Sequence, residues 1–279
     1  MDAPHAPLAA PSTLTPSKLD RFLSCPLSFR YAYIDRLAEP PSIHQVRGTI
    51  VHRALQRLYG APPAQRTLGA AQAALDSAVT ELAPTPEVVG LGLDETASEA
   101  LREECAVLIS RYFELEQPQD VHPIGLELDL RCSVDGIALR GIIDRLDRRS
   151  DGEFVVVDYK TGRAPSAERA RGRLGGVHFY ALLCEQLLGQ RPREVRLVYV
   201  RDRVVITETP TEQSLRGTRQ RARAAWTAIE RACAQDDFRP NPSRLCAYCG
   251  FRTRCPAMPG GQVPPPPAPA RPNVALVAH

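Results

Sequence analysis

Two aspartates and a lysine stand at short spacing in a part of the chain that has the pattern of β-strands. Asp144 follows Gly141 by three residues. Asp158 follows the apolar run Phe154–Val157, and Lys160 comes two residues later. Because side chains at i and i+2 share one face of a strand, Asp158 and Lys160 are expected to point the same way. Two carboxylates and an ammonium group at one edge of a sheet can hold a hard divalent cation and orient a water molecule.

The same residues also have a purely structural interpretation. Asp144 could pair with Arg145 or Arg148 at the surface, and Asp158 could form a salt bridge with Lys160 across a turn. Each carboxylate taken alone is open to either interpretation. The ordered set favours the functional one, because Gly-x-x-Asp is followed some thirteen residues later by Asp-x-Lys-Thr-Gly, after a strand that resembles a core strand.

The hydrophobic periodicity changes from helical to strand-like at about residue 124. Before this point apolar residues recur at helical spacing, and after it they alternate with polar residues. The predicted helices, in chain order, are 15–37 with an interruption at Pro26, 46–59, 67–82, 95–116, 174–188 and 212–235. Strands are predicted at 126–130, 137–143, 154–157, 194–200 and 203–208, and a Pro/Gly-rich loop is predicted around 84–93.

Tight turns are predicted at Asp135-Gly136 and at Asp151-Gly152, between the first three strands. Three consecutive strands joined in this way form an antiparallel meander. We expect one strand to end at Asp144 and the next at Asp158, so that the second turn brings these ends to the same edge of the sheet. The order of the elements predicts an α+β domain with one mixed sheet and helices packed against it.

The composition is that of a folded domain without a membrane span. The chain has 279 residues, of which 43% are hydrophobic and 24% are charged, which excludes a wholly disordered or collagen-like chain. No apolar run approaches the roughly 20 residues of a transmembrane helix, and we expect no secretory signal and a cytoplasmic location. Only Lys18 and Lys160 among the 35 basic residues are lysine, and the bias toward arginine can simply reflect GC-rich coding.

Eight cysteines in a chain expected to stay in a reducing compartment indicate metal chemistry more than disulfides. Cys246, Cys249 and Cys255 form a C-x2-C-x5-C pattern that needs a fourth ligand, and Cys25 stands apart at a helix break before Pro26. Four thiolates can bind Zn²⁺ or a [4Fe–4S] cluster, and the spacing does not separate the two. The other four are expected to be ordinary buried cysteines: Cys105, Cys132, Cys184 and Cys233.

The segments RGIIDRLD and VVVDYKTG are similar to the signature of the PD-(D/E)XK nucleases, specifically of the RecB-type exonuclease branch. The resemblance extends over roughly residues 14–256 and implies a restriction-endonuclease-like core. It also implies that Asp144 and Asp158 bind Mg²⁺ or Mn²⁺ and that Lys160 is the catalytic lysine. The peptide carbonyl of Tyr159 is expected as a further ligand, and Glu127 matches an acidic position of the branch.

Two further patterns resemble this branch. His52 lies in a Gly-x-x-x-His-x-x-Leu pattern on the second helix, and the resemblance implies that it joins the metal site. The cysteines resemble those of AddB-like members, which have one near the N-terminus and three near the C-terminus around a [4Fe–4S] cluster. This implies that a cluster joins the two ends of the domain through four thiolates, with Zn²⁺ as the alternative metal: Cys25, Cys246, Cys249 and Cys255.

The sequence indicates the DNA-contacting residues less specifically than it indicates the metal ligands. The branch often has Gln-x-x-x-Tyr on the helix after the catalytic lysine, where this chain has Tyr180 but Gly176 in place of glutamine. Arg163 and Arg173 also follow the lysine, and the helix over 212–235 is rich in arginine. Arginine clusters that flank a metal site are suited to sequence-independent binding of the phosphate backbone.

Together these observations predict a metal-dependent DNA exonuclease that acts at ends or on single strands, in DNA repair or recombination at the nucleoid. The alternatives are a non-catalytic module that binds DNA ends and a CRISPR-associated nuclease of the same superfamily. No P-loop motif is visible, so a helicase or repair partner would have to supply unwinding. The predicted domain covers 15–257, divided into a helical part (15–118), a catalytic sheet (121–209) and a helix with the cluster segment (211–257), between disordered tails at 1–14 and 258–279.

Overall fold

The structure, a computed structural model, describes residues 8–166 and 175–259. Its α-helices are α1 (Pro16–Ser24), α2 (Pro26–Phe29), α3 (Ile43–Gly60), α4 (Leu68–Leu82), α5 (Pro86–Val89), α6 (Glu95–Tyr112), α7 (Gly175–Leu188) and α8 (Glu212–Gln235). A π-helical turn over Arg30–Ile34 follows α2, and short 3₁₀ helices lie at Pro63–Gln65, Pro118–Asp120, Arg244–Tyr248 and Arg252–Arg254. The strands are β1 (Pro123–Val134), β2 (Ile137–Arg148), β3 (Phe154–Lys160), β4 (Glu194–Tyr199) and β5 (Val204–Glu208).

The five strands form one mixed sheet in the order β1-β2-β3-β4-β5. The pairs β1–β2, β2–β3 and β4–β5 are antiparallel, whereas β3 and β4 are parallel. The predicted meander and the predicted α+β class are therefore confirmed. At the first turn Asp135 and Gly136 both have positive φ, 51° and 80°, as expected for two central residues of a tight hairpin.

The main helices lie close to their predicted positions. The second predicted helix begins three residues earlier, at Ile43, and the helix predicted over 95–116 ends at Tyr112. The short helix α5 was predicted as loop, and it begins where Pro86 follows Thr85, since proline suits the first turn of a helix. In the described residues, no helix is long and apolar enough to cross a membrane.

The chain forms two compact units. The sheet unit comprises residues 12–20 and 40–227, of which 167–174 lie outside the described part. The cysteine unit, as far as it is described, comprises residues 8–11, 21–39 and 228–259. In the sheet unit, helices α3, α4 and α6 bury apolar side chains against residues of β3 and against the end of β4; this core includes Val51, Leu55, Leu75, Ile109, Val155, Val157 and Val198.

Gly141 in β2 allows the close approach of helix α7. A Cβ atom at this position would lie 2.6 Å from Leu183 Cδ1 and 3.2 Å from Tyr180 Cε1. Leu183 is completely buried, so that its side chain has no free space into which to move. We expect Gly141→Ala to lower the free energy of unfolding by about 1–3 kcal/mol, the usual cost of overpacking, as measured by denaturant titration.

Gly176→Ala is the matched control for this substitution. A Cβ at Gly176, the second residue of α7, would meet no atom of the described residues within 4 Å. Alanine there should leave stability unchanged or raise it by up to about 1 kcal/mol, because alanine has the higher helix propensity. Equal stability of Gly141→Ala and the unchanged chain would contradict the packing described for β2 and α7.

Candidate metal centre

Three side chains of the sheet unit form a group with the geometry of a metal site. His52 comes from α3, Glu127 from β1 and Asp144 from β2, and their ligand atoms all lie within 4.8 Å of one another. Carboxylate oxygens suit both Mg²⁺ and Mn²⁺, and imidazole nitrogen is a ligand of transition-metal ions, the class to which Mn²⁺ belongs. By the chemistry of its donors, this group fits the divalent ion that the sequence predicts.

The backbone of Tyr159 holds two of these three side chains. Its amide donates a hydrogen bond to Asp144 Oδ2 at 2.7 Å, and its carbonyl oxygen lies 3.0 Å from His52 Nε2. A carbonyl oxygen can only accept, so this hydrogen bond places a proton on Nε2. In the neutral ring Nδ1 then has a lone pair that can bind a cation, whereas in the protonated ring Nδ1 can donate to Asp144 Oδ1, 3.4 Å away.

The position of Asp144 within the sheet differs from the prediction. Asp144 does not end its strand, because β2 continues to Arg148 and pairs with β3 from Arg148–Phe154 to Arg145–Val157. Beyond this last pair, the Tyr159 amide donates to the side-chain carboxylate of Asp144, whereas in a regular antiparallel ladder it would donate to a backbone carbonyl. The expectation that Asp144 stands at the end of a strand is therefore wrong, whereas Asp158 is within two residues of the end of β3.

Strand β2 continues past Asp144 because the charged residues that follow it are buried and paired. The sequence Asp144–Arg148 is typical of a surface turn, yet Arg145 and Asp147 are both buried and form an ion pair. Their charges are compensated within the fold, which allows β2 to continue through a segment that the hydrophobic pattern excluded from a strand.

Glu127 adopts an unusual backbone conformation. Its φ of 46° lies in the left-handed region, which costs roughly 1–2 kcal/mol for a residue with a Cβ atom. The neighbouring pairs Leu126–Arg145 and Leu128–Ile143 place it opposite Asp144 across the β1–β2 ladder. The regular alternation predicted for β1 is therefore interrupted at the residue that contributes the third member of the group.

The electrostatics of this region favour a bound cation. Burial raises the pKa of Glu127, and the charge of Asp144 raises it further. Burial likewise raises the pKa of the Asp158 carboxyl, although the nearby Lys160 ammonium opposes this effect. For His52, burial disfavours the protonated ring, but hydrogen bonding to Asp144 and the surrounding negative charges outweigh it and raise the pKa. Carboxylates crowded in a buried place repel one another, and a divalent cation would relieve that repulsion.

Comparison with known proteins identifies the family. The family model described as "PD-(D/E)XK nuclease superfamily" matches residues 13–256. The chain belongs to this superfamily.

Two relatives of this nuclease superfamily member are informative about its extent and fold. The Gene 69 protein of Mycobacterium phage L5 is 28% identical over 146 residues, which are 51% of this chain and 47% of that protein. The chain thus spans about half the length of this curated relative. The crystal structure of the "Putative exonuclease" from Eubacterium rectale has a TM-score of 0.57 and 12% identity, over 85% of this chain and 87% of that one, which is a similarity of fold.

Lys160 lies beside Asp158, as the strand periodicity predicts. Lys160 Nζ forms a short ion pair with the carboxylate of Asp158, which confirms that both side chains point the same way. Burial acts to lower the pKa of Lys160, but the charge and hydrogen bond of Asp158, together with the charge of Asp144, outweigh burial and raise this pKa above its ordinary value. Asp158 itself is 4% exposed and is not a member of the three-residue group.

The predicted DNA-contacting residues have different surroundings. Tyr180 on α7 is half-buried, and its pKa is raised first by burial and then by the charges of Asp158 and Asp144. Arg163 is exposed, three residues after Lys160, whereas Arg173 lies outside the described residues. A role in DNA binding stays a prediction for all three.

One acidic residue near this site was not indicated by the motifs. Asp20, the last residue of the sheet unit's first segment, has a pKa raised by burial, against which the charges of Arg221 and Lys160 act. Since these partners lie far along the chain, only the fold shows that Asp20 lies within their electrostatic range. The hydrophobic periodicity of α1 does not indicate that Asp20 has these partners.

The four predicted cluster cysteines all lie in the cysteine unit and are half-buried. The amide of Asn241 donates to Cys25 Sγ at 3.4 Å, and the amide of Ser243 donates to Cys246 Sγ at 3.3 Å. The two segments are also joined by the Tyr31 hydroxyl, which donates to the carbonyl of Arg254 at 3.1 Å. Within residues 8–166 and 175–259, these thiols do not form a group as tight as that of His52, Glu127 and Asp144.

The remaining cysteines were predicted to be buried. This is correct for Cys105, Cys184 and Cys233, whereas Cys132 on β1 is half-buried. Burial raises the pKa of the Cys105 and Cys184 thiols to about 12, so that both stay protonated. None of the three buried thiols has the electropositive, accessible surroundings of a reactive cysteine.

Proposed function

We propose that this chain is a Mg²⁺- or Mn²⁺-dependent deoxyribonuclease of the RecB-type exonuclease branch, which hydrolyses phosphodiester bonds at ends or on single strands. The observation that carries the proposal is the group of His52, Glu127 and Asp144 beside the ion pair of Asp158 and Lys160. We assign the metal to His52, Asp144 and Asp158, as the motifs imply. We add the catalytic carboxylate of Glu127 as a further ligand, because it lies in one group with His52 and Asp144.

The residues around this site have separate tasks in the proposed reaction. A divalent cation held by these residues would supply Lewis-acid activation of the phosphodiester and of water. Lys160, charged and close to Asp158, orients the attacking water and stabilises the negative charge that develops on the phosphate. Tyr159 keeps Asp144 and His52 in place through its backbone.

Binding of DNA is proposed to depend on the phosphate backbone. Arg163 is exposed close to the catalytic lysine, and Arg221 and Arg223 are exposed on α8. Exposed arginines bind phosphates without reading the base sequence, which suits a nuclease that acts on any strand. Tyr180 is proposed as a further contact on the resemblance, and Arg173 because it is one of the arginines that follow Lys160 in the sequence.

For the cysteine unit we propose a [4Fe–4S] cluster on Cys25, Cys246, Cys249 and Cys255. Backbone amides that donate to sulfur, as they do for Cys25 and Cys246, are typical partners of cluster thiolates, and such bonds tune Fe–S centres. Zn²⁺ is the alternative metal. A role in DNA repair or recombination at the nucleoid, with a helicase or repair partner, completes the proposal.

The test is cleavage of single-stranded DNA by the anaerobically purified chain. One substrate is linear and end-labelled, and the other is a closed circle of the same length, each incubated with Mn²⁺ or with a chelator. Degradation of the linear strand alone, and only with Mn²⁺, is the expected result of a metal-dependent exonuclease. Cleavage of the circle would show an endonuclease, and binding of DNA without cleavage would favour the end-binding module.

A further inference from the structure

A fully buried arginine lies next to the proposed metal site. The side chain of Arg145 is 0% exposed, and its guanidinium nitrogens donate to both carboxylate oxygens of Glu116 at 2.8 and 2.9 Å. Its Nε donates to Asp147 at 3.1 Å, and Nη1 donates to the Tyr112 hydroxyl at 2.8 Å. A buried charge is tolerated only when its partners are this complete, because removing it from water is otherwise expensive.

This arginine contacts three of the elements that carry the site. It follows Asp144 directly in β2, and its Nη1 also donates to the Tyr159 hydroxyl of β3 at 2.7 Å. Its guanidinium packs on the ring of Tyr59, 4.4 Å from the centroid, and Tyr59 follows His52 by seven residues on α3. Seven residues are two helical turns, so Tyr59 and His52 lie on the same side of α3.

The connection to the metal site passes through Tyr159. Its side chain binds Arg145, while its amide and carbonyl hold Asp144 and His52. A shift of the Tyr159 ring would therefore also move the two backbone groups that orient these proposed ligands. In metal sites, partners that orient the ligands commonly change metal affinity by about 10- to 100-fold when they are lost.

We propose that Arg145 is a positioning residue of the metal site, which fixes β3 and α3 relative to β2 so that His52 and Asp144 face the same cation. This inference rests on the proposed function, because it assumes that the group around Asp144 binds a divalent ion. The rival explanation is that Arg145 contributes to stability alone.

Arg66 provides a matched control for that rival explanation. It is also buried, at 6% exposed, and also packs on the Tyr59 ring, 5.2 Å from the centroid. Its hydrogen bonds reach the carbonyls of Ala61, Pro118 and Val121, none of which belongs to an element of the metal site. Arg145 and Arg66 therefore share burial, charge and the contact with Tyr59. Only Arg145 also binds the side chain of Tyr159.

The experiment compares Arg145→Lys with Arg66→Lys, since lysine retains the charge and loses the planar fork of donors. Mn²⁺ affinity is measured by calorimetry on DNA-free protein, and unfolding is measured without metal. Both variants should be less stable, but only Arg145→Lys should bind Mn²⁺ more weakly, by about 10- to 100-fold. Wild-type affinity in Arg145→Lys, or an equal loss in Arg66→Lys, would overturn the proposal.

Two further variants keep the result interpretable. If Arg145→Lys does not fold, Tyr159→Phe removes only the hydroxyl that Arg145 binds, and it should weaken Mn²⁺ binding by about tenfold; unchanged affinity there rejects the positioning role. His52→Ala tests the site itself. If His52→Ala and the unchanged chain bind Mn²⁺ equally, the proposed metal site fails, whereas loss in His52→Ala with full affinity in Arg145→Lys rejects only the positioning role.

Discussion

Asparagine in place of Asp144 is expected to lower the rate of DNA cleavage by about a thousandfold or more while the chain remains folded. The substitution removes the negative charge from the centre of the group with His52 and Glu127. Loss of a metal ligand forfeits several kcal/mol of transition-state stabilisation, and each 1.36 kcal/mol is a factor of ten in rate. The fold should persist, because the amide oxygen of asparagine can still accept the hydrogen bond from the Tyr159 amide.

The measurement is single-turnover cleavage of labelled single-stranded DNA, with Mn²⁺ affinity and unfolding recorded on the same preparations. Asp129→Asn is the matched control, since Asp129 also lies on the β1–β2 ladder but is exposed and paired with Arg131 and Arg140. We expect this control to retain full activity. Cleavage at the wild-type rate by Asp144→Asn would remove Asp144 from the proposed site.

Alanine in place of Cys249 is expected to abolish iron binding and to make much of the protein insoluble. Four thiolates would tie residue 25 to residues 246–255 and so close a loop that covers most of the chain. Such a crosslink restricts the unfolded ensemble and couples metal binding to folding, and its loss should cost several kcal/mol. The measurements are iron and zinc content per chain, the visible absorption of anaerobically purified protein, and the soluble fraction.

Cys132→Ala is the control for this prediction. Cys132 is half-buried, as Cys249 is, but it lies on β1 in the sheet unit. This variant should keep its metal and its solubility. A soluble Cys249→Ala with a full complement of iron would contradict the ligand assignment, and zinc in place of iron in the unchanged chain would select the alternative metal.

Local sequence patterns were sufficient for most of the secondary structure. Helix α8 was predicted with its observed bounds, 212–235, and the meander was predicted from alternation and from the two Asp-Gly turns. These features depend on residues close in sequence, whose periodicity and turn preference act locally. The pairing of Asp158 with Lys160 is also a local consequence, since residues two apart on a strand share a face.

The position of Asp144 and the conformation of Glu127 could not be predicted in this way. The charges after Asp144 are buried because Glu116 and Tyr112 of the preceding helical part, some thirty residues earlier, compensate Arg145. Glu127 has a positive φ and lies opposite Asp144 in the sheet, a departure that the regular alternation of its own strand does not indicate. Both features arise from contacts between segments distant along the chain.

The sequence by itself therefore determined the elements, the family resemblance and the types of residue able to bind a metal, since these depend on periodicity and on short motifs. Only the tertiary structure decided which of them converge: His52, Glu127 and Asp144 come from three separate elements. It also decided that the Tyr159 backbone forms hydrogen bonds with two of them and that a buried Arg145 binds the Tyr159 hydroxyl. The physical reason is that burial and charge compensation are properties of the packed chain, and they overrule what a charged segment would do alone.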